Sequence, residues 1–170
     1  MTMQRNYSYS YIELMDDRQC RLPEFDCYDL GEGMLLFTHQ KKGIGFTYLV
    51  NTETEECFEL MDKHGNLTSF TLDDIDIKAI EDLPFTGSVI KLKCGYGIFL
   101  DDFHNGTALF RWTYFIDESH YHALDDQNNY KRLYGFIDKH CQVIVPFQPM
   151  SEKHLLQMKK KQLTGFLLDT

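Results

Sequence analysis

Two short stretches of the 170-residue chain hold side chains whose types and spacing could do chemistry: Asp101-Asp102-Phe103-His104 and His120-Tyr121-His122. On an extended strand residues 120 and 122 face one side, so their two imidazoles could share a cation. His104 with Asp101 or Asp102 would add a further imidazole and a carboxylate, enough to activate a metal-bound water. That chemistry is a small metal-dependent hydrolase built on His104, His120 and His122. A plainer reading stands beside it. Asp102 and His104 fall in a glycine turn whose pattern occurs twice in the chain. His120 and His122 lie in ESHYHALDDQNNY, a run of turn formers where surface histidines are expected. A metal ligand also needs neighbours that orient its ring, and the sequence names none.

Other catalytic signatures are absent from the chain. There is no GxSxG elbow, phosphate-binding GxxxxGK[ST], HExxH or GxGxxG, and Gly43-Ile44-Gly45 has no third glycine partner. His64 and His140 each sit in Asp-Lys-His and could be paired as acid and base, but equivalent places in two turns favour a structural role. Cys20, Cys27, Cys57, Cys94 and Cys141 are odd in number and form no CxxC pair, which fits free thiols in a reducing, cytoplasmic compartment. No nucleophile, metal or other cofactor is assigned.

Charge sets the class of partner. The chain carries 17 Lys and Arg against 26 Asp and Glu, a net charge of −9. That balance opposes phosphate neutralisation, so nucleic acid is not an expected partner. The asymmetry is strong: residues 1–130 hold 10 cations against 23 carboxylates, and residues 131–170 hold 7 against 3. Acidic pairs recur at Asp16-Asp17, Asp73-Asp74, Asp101-Asp102 and Asp125-Asp126, with Asp117 and Glu118 nearby. Turn chemistry explains many of them, since Asp favours turn starts. The remaining reading is an acidic face for a basic protein partner, made of Asp101, Asp102, Asp117, Glu118, Asp125 and Asp126.

The elements that must position these residues read as sheet. Aromatic residues make up 14% of the chain, mostly Phe and Tyr, and such residues favour strands. Residues 29–37, DLGEGMLLF, and 102–110, DFHNGTALF, match at Asp29/Asp102, Gly33/Gly106, Leu36/Leu109 and Phe37/Phe110. In each, a glycine turn feeds an apolar run of strand length. Further on, MDKHGNL at 61–67 parallels IDKHCQV at 137–143. Two ordered blocks at nearly equal offsets point to an internal repeat over 29–70 and 102–147.

The stretches FLDDFHNGTALFRW and LYGFIDKHCQVIVPF resemble the bacterial WG-containing repeat. Its units run from an acidic-aromatic glycine turn through an apolar strand to a Trp-Gly-Phe-Ile-Asp hairpin and a Val-Ile-Pro segment. Tyr134 stands where the signature has Trp, and Val143-Ile144-Val145-Pro146 forms the closing segment. The earlier copy, CFELMDKHGNLTSF, has Glu59-Leu60 in place of Gly-Phe and lacks the proline. The likeness covers residues 99–149 and, more distantly, 29–70. It implies β-hairpin units used in protein contacts, with no catalytic residues.

The rest of the chain completes the expected fold. Residues 72–84 read as a strand through Ile75 and Ile77 or as a short helix through Leu72, Ile75, Ala79 and Ile80, the strand into a turn ended by Pro84 being favoured, and 88–100 as one strand bulged at Gly95 and Gly97. Residues 151–164 read as a helix, capped by Ser151, with Leu155, Met158 and Leu163 repeating at helical spacing, a lysine triplet in the last turn and Gly165 as the stop. The N-terminal MTMQRNYSYSYIELMDD lacks the apolar core of a secretory signal, and no apolar run approaches the roughly 20 residues of a membrane span. The expectation is a mainly β, single-domain soluble protein of residues 1–170: two repeat-related hairpin or meander units and a C-terminal helix. Its expected work is non-catalytic protein binding, of the kind by which an immunity or antitoxin protein covers a basic toxin cleft, with the metal-dependent hydrolase as the alternative.

Overall fold

The computed structural model describes residues 25–39, 47–62, 67–80, 95–115 and 130–166. Among them the chain forms two four-stranded antiparallel sheets and a C-terminal helix, so the protein is mainly β. Sheet 1 contains β1 (Phe25–Gly31), β2 (Met34–His39), β3 (Thr47–Asn51) and β4 (Glu56–Met61), in that order. Sheet 2 repeats the same up-and-down order with β5 (Gly95–Leu100), β6 (Thr107–Phe115), β7 (Tyr130–Asp138) and β8 (Val143–Gln148). Helix α1 spans Glu152–Thr164. Among the described residues no helix is long and apolar enough to cross a membrane.

The first hairpin of each sheet turns in the same way. Glu32 and Gly33 have φ of 53° and 82°, and Asn105 and Gly106 have φ of 52° and 79°. Two consecutive left-handed residues are what a two-residue type I′ hairpin demands, because its twist then matches that of the strands. The turn read from Gly33 and Gly106 therefore stands at the head of β2 and of β6.

Strand alternation decides which residues meet between the sheets. Met34, Leu36, Leu49 and Leu60 of sheet 1 share one core with Leu100, Ala108, Phe110, Trp112, Leu133, Ile137 and Phe147 of sheet 2. Phe70, Phe110 and Phe147 form a three-ring group with centroids 5.0–5.2 Å apart. Phe37, matched with Phe110 in the sequence, is also buried, but with Phe25, Tyr48 and Val50 on the opposite face of its sheet. Leu36 lies in the shared core, while its counterpart Leu109 is offset from that core on the adjacent, outward register of β6. The two sheets thus stack head to tail, the inner face of sheet 1 against the opposite face of sheet 2.

Three expectations need correction. The matched segments 61–67 and 137–143 are not equivalent: Met61 and Leu67 bridge after the last strand of sheet 1, whereas 137–143 turn β7 into β8. Shared turn-forming residues align two segments of different topological place; residues 63–66 lie outside the described residues. The strand expected from residue 72 is instead a pair of short 3-10 turns, Leu72–Asp74 and Ile77–Ala79. Asp74 accepts from Thr71 N at 2.6 Å and Asp76 accepts from Ala79 N at 3.3 Å, and such local side-chain bonds compete with extended backbone. Among the described residues of this stretch, Ile75 alone bridges to the sheet, through Phe147. The helix is where it was expected, with Ser151 accepting from His154 N at 3.0 Å, but Leu163 is 63% exposed and the buried residue of α1 is Gln162. A described strand begins at Gly95, with the expected bulge between Gly95 and Gly97.

Candidate functional site

All four described hairpin turns meet at one end of the stack. Within sheet 1, Thr52 donates both its N–H, at 2.9 Å, and its hydroxyl, at 2.7 Å, to Gly33 O. Between the sheets, Gly106 N donates to a Glu32 carboxylate oxygen at 2.9 Å and Phe103 N donates to Leu30 O at 2.8 Å. The other two turns are linked by Asn51, whose side-chain amide donates to Lys139 O at 3.1 Å. Two side-chain pairs reinforce that link: Lys139 Nζ to Glu53 at 2.9 Å and His140 Nδ1 to Glu56 at 2.9 Å.

Local sequence explains why these turns hold their shape. Asn51 and Asp138 each end the third strand of their sheet. Asn51 Oδ1 accepts from Glu53 N at 3.0 Å and Thr54 N at 3.3 Å, and Asp138 Oδ1 accepts from His140 N at 2.8 Å and Gln142 N at 2.9 Å. Asx side chains stabilise a loop in this manner by replacing missing ladder bonds. Each loop then closes through a left-handed residue, Glu55 at φ 63° and Cys141 at φ 61°. Burial pushes the Cys141 thiol up, so it stays protonated and packs as a small apolar group.

The result is an end rich in carboxylates. Asp29, Glu32, Glu53, Glu55, Glu56 and Asp102 are exposed there, and Asp101 is half-buried. Asp101 N donates to Leu109 O at 2.9 Å and its carboxylate accepts from Asp102 N at 2.9 Å. His104 closes the hairpin through its backbone, with His104 N to Thr107 O at 2.8 Å, while its ring is left on the surface. The hydrogen bond from His140 holds the Glu56 carboxyl below its ordinary range, and the same bond raises the His140 pKa.

Of the residues singled out in the sequence, Asp101, Asp102 and His104 are therefore placed together on this end. Asp117, Glu118, His120, His122, Asp125 and Asp126 lie outside the described residues. Among the described residues no group of three or more His, Cys, Asp or Glu is arranged to hold a metal. Sequence reasoning missed Glu32, Glu53, Glu55 and Glu56. The run Thr52-Glu53-Thr54-Glu55-Glu56 between two apolar segments was the available signal for an acidic hairpin loop.

One further carboxyl stands apart. Glu59 on β4 is 1% exposed, opposite Tyr48, and its Oε2 has no hydrogen-bond partner. Burial, followed by the charge of Asp62, pushes its pKa up to about 7, against hydrogen bonds from Thr68 and Tyr48 that lower it.

No family model, no curated protein and no solved structure matches this chain.

Proposed function

We propose that the protein is a non-catalytic interaction module that engages a basic protein partner through its acidic turn end. The observation that supports this reading is the hydrogen-bonded convergence of four turns, which gathers Asp29, Glu32, Glu53, Glu55, Glu56, Asp101 and Asp102 at one place. Carboxylates held on a braced scaffold lose little freedom on binding, so their field is available for steering and for pairing with Lys and Arg. The resemblance to WG-containing repeats, whose hairpin units serve protein contacts, accords with the same reading. Its narrower form is an immunity-type protein in which this end covers the basic cleft of a toxin.

The test starts with proteins captured from the native host and identified by mass spectrometry. Association of the purified partner is then followed as salt rises to about 0.5 M, where the Debye length falls to a few Å. A basic partner whose association slows steeply with salt, and slows again when Glu55, Asp101 and Asp102 are all changed to Lys, supports the proposal. An acidic partner, or association indifferent to both salt and charge reversal, overturns it.

A further inference from the structure

The face of sheet 2 turned away from sheet 1 carries a second surface of opposite chemistry. Strand register sets Phe99, Arg111, Tyr134 and Gln148 opposite one another in a row across all four strands. The guanidinium carbon of Arg111 stands 4.8 Å from the centroid of the Phe99 ring, and Phe99 is 49% exposed. Arg111 Nε is buried and has no hydrogen-bond partner. Among the described residues no carboxylate pairs with this arginine, although the chain holds 26 Asp and Glu.

The neighbouring rows give this strip its shape. Toward the turn end, Leu109 and Phe136 are buried, and Phe166 closes on Phe136 with ring centroids 5.0 Å apart. On the other side Gly97 pairs with Thr113, and no atom lies within 4 Å of where a Cβ on Gly97 would project. The arginine thus lies between an apolar ridge and the open position at Gly97.

We propose that this strip docks an acidic segment of a protein partner, one carboxylate pairing with Arg111 and an adjacent apolar side chain resting on Phe99 over Gly97. The charge argument is local. A guanidinium shielded at Nε gains most from a planar acceptor that takes its remaining N–H groups in a fork, and a carboxylate has that geometry. The Phe99 ring fixes the plane of the fork and excludes water from one side of it. Phosphate-rich strands are disfavoured because tracking a backbone needs several available cations. Here Lys131 and Arg132 are already engaged in interactions of their own. The site is independent of the acidic turn end and of the partner proposed for it.

The experiment uses fluorescence anisotropy on the full chain with three labelled probes: a peptide alternating Glu and Phe, the same peptide with Lys for Glu, and single-stranded oligothymidine. The expected result is saturable binding of the Glu-Phe peptide alone. Arg111→Gln should weaken it about tenfold, and Phe99→Ala should weaken it severalfold with the melting temperature unchanged. Arg111→Lys should recover only part of the affinity, since the charge is kept and the fork is lost. If Arg111→Gln fails to fold, the exposed Phe99→Ala carries the decision. No binding of the Glu-Phe peptide, equal binding of either other probe, or binding unaffected by both variants overturns the proposal.

Discussion

Glu32 and Asn105 hold the same place in the two type I′ turns, and each reaches forward to the next element of the chain. Glu32 accepts from Gly106 N at 2.9 Å, tying the first turn to the second. Asn105 donates its side-chain amide to Leu163 O at 2.6 Å and to Gln162 O at 3.2 Å, tying the second turn to the end of α1. The last carbonyls of a helix lack partners within it, so the Asn105 amide serves as their cap. Gln162 completes the attachment by donating to Thr107 O at 2.8 Å.

Replacing Asn105 should therefore loosen the helix before it loosens the sheets. Asn105→Ala removes the two bonds and places alanine at positive φ, for an expected loss of about 1–2 kcal/mol. Asn105→Asp keeps tolerance of that backbone but turns an acceptor toward two carbonyls. Hydrogen exchange should show both variants losing protection in α1 while β6 and β7 keep theirs. Uniform loss across the molecule would contradict the relay.

Gly135 and Gly97 form a matched pair for a packing test. A Cβ on Gly135 would lie 2.5 Å from Phe147 Cδ1 and 2.8 Å from Val145 O, whereas one on Gly97 would touch nothing within 4 Å. Gly135→Ala should cost about 1–3 kcal/mol through displacement of Phe147 and β8. Gly97→Ala should leave the denaturation midpoint nearly unchanged. Equal effects would mean that the approach of β7 and β8 has been misplaced.

The Tyr-Gly pair shows how much was legible in the sequence. In the stretch likened to the repeat, Gly135 beside Tyr134 could answer to a close backbone approach or to an unusual φ, and Val145 and Phe147 supply the approach. Asn105-Gly106 and the Ser151 cap were readable because turn and cap chemistry depend on neighbours a few residues away. The misplaced match at 61–67 and the false strand from residue 72 came from local patterns that two topologies share. Arg111 was unreadable for a different reason. Its significance lies in its cross-strand neighbours Phe99 and Tyr134, and register between strands is not written in the spacing of one segment.

Glu59 should make stability depend on pH. Its folded pKa of about 7 exceeds its ordinary value of 4.5, so the unfolded chain loses this proton first as pH rises. Its contribution to stability should fall between those two values and remain flat above them. Glu59→Gln keeps an acceptor for the Tyr48 hydroxyl and has no proton to lose. Its melting temperature should exceed that of the native chain at pH 8 and converge with it near pH 4.5. A native chain no less stable at pH 8, relative to the variant, would remove Glu59 from the account.

The link between His140 and Glu56 acts in the same direction, stability falling as pH rises, but in a window that begins at a higher pH. The His140 pKa is raised above 6.5, so its stabilising contribution is complete below that value and is lost as pH climbs through the raised pKa. Both side chains face solvent, and added salt should weaken the pair. Titration of the His140 ring followed by NMR should give a midpoint that falls in Glu56→Gln. A midpoint unmoved by that change would leave the hydrogen bond from Asn51 to Lys139 as the principal tie between those loops.

The head-to-tail stacking of the sheets also bears on growth. The junction joins two different surfaces, so the contact is heterologous, and a contact of that kind grows without end unless its rotation closes a ring. Left bare, the outer face of sheet 2 would offer the next unit of an open-ended array the same kind of apolar platform that sheet 1 offers sheet 2. The chain spoils that platform in two ways. Phe166 occupies the strip at Phe136, and Arg111 sets a charge in the middle of what remains. A second copy of sheet 1 laid there would have to bury an unpaired guanidinium, at a cost of several kcal/mol. The same arginine that the proposed docking pairs with a carboxylate would thus oppose the stacking of a further copy on this face.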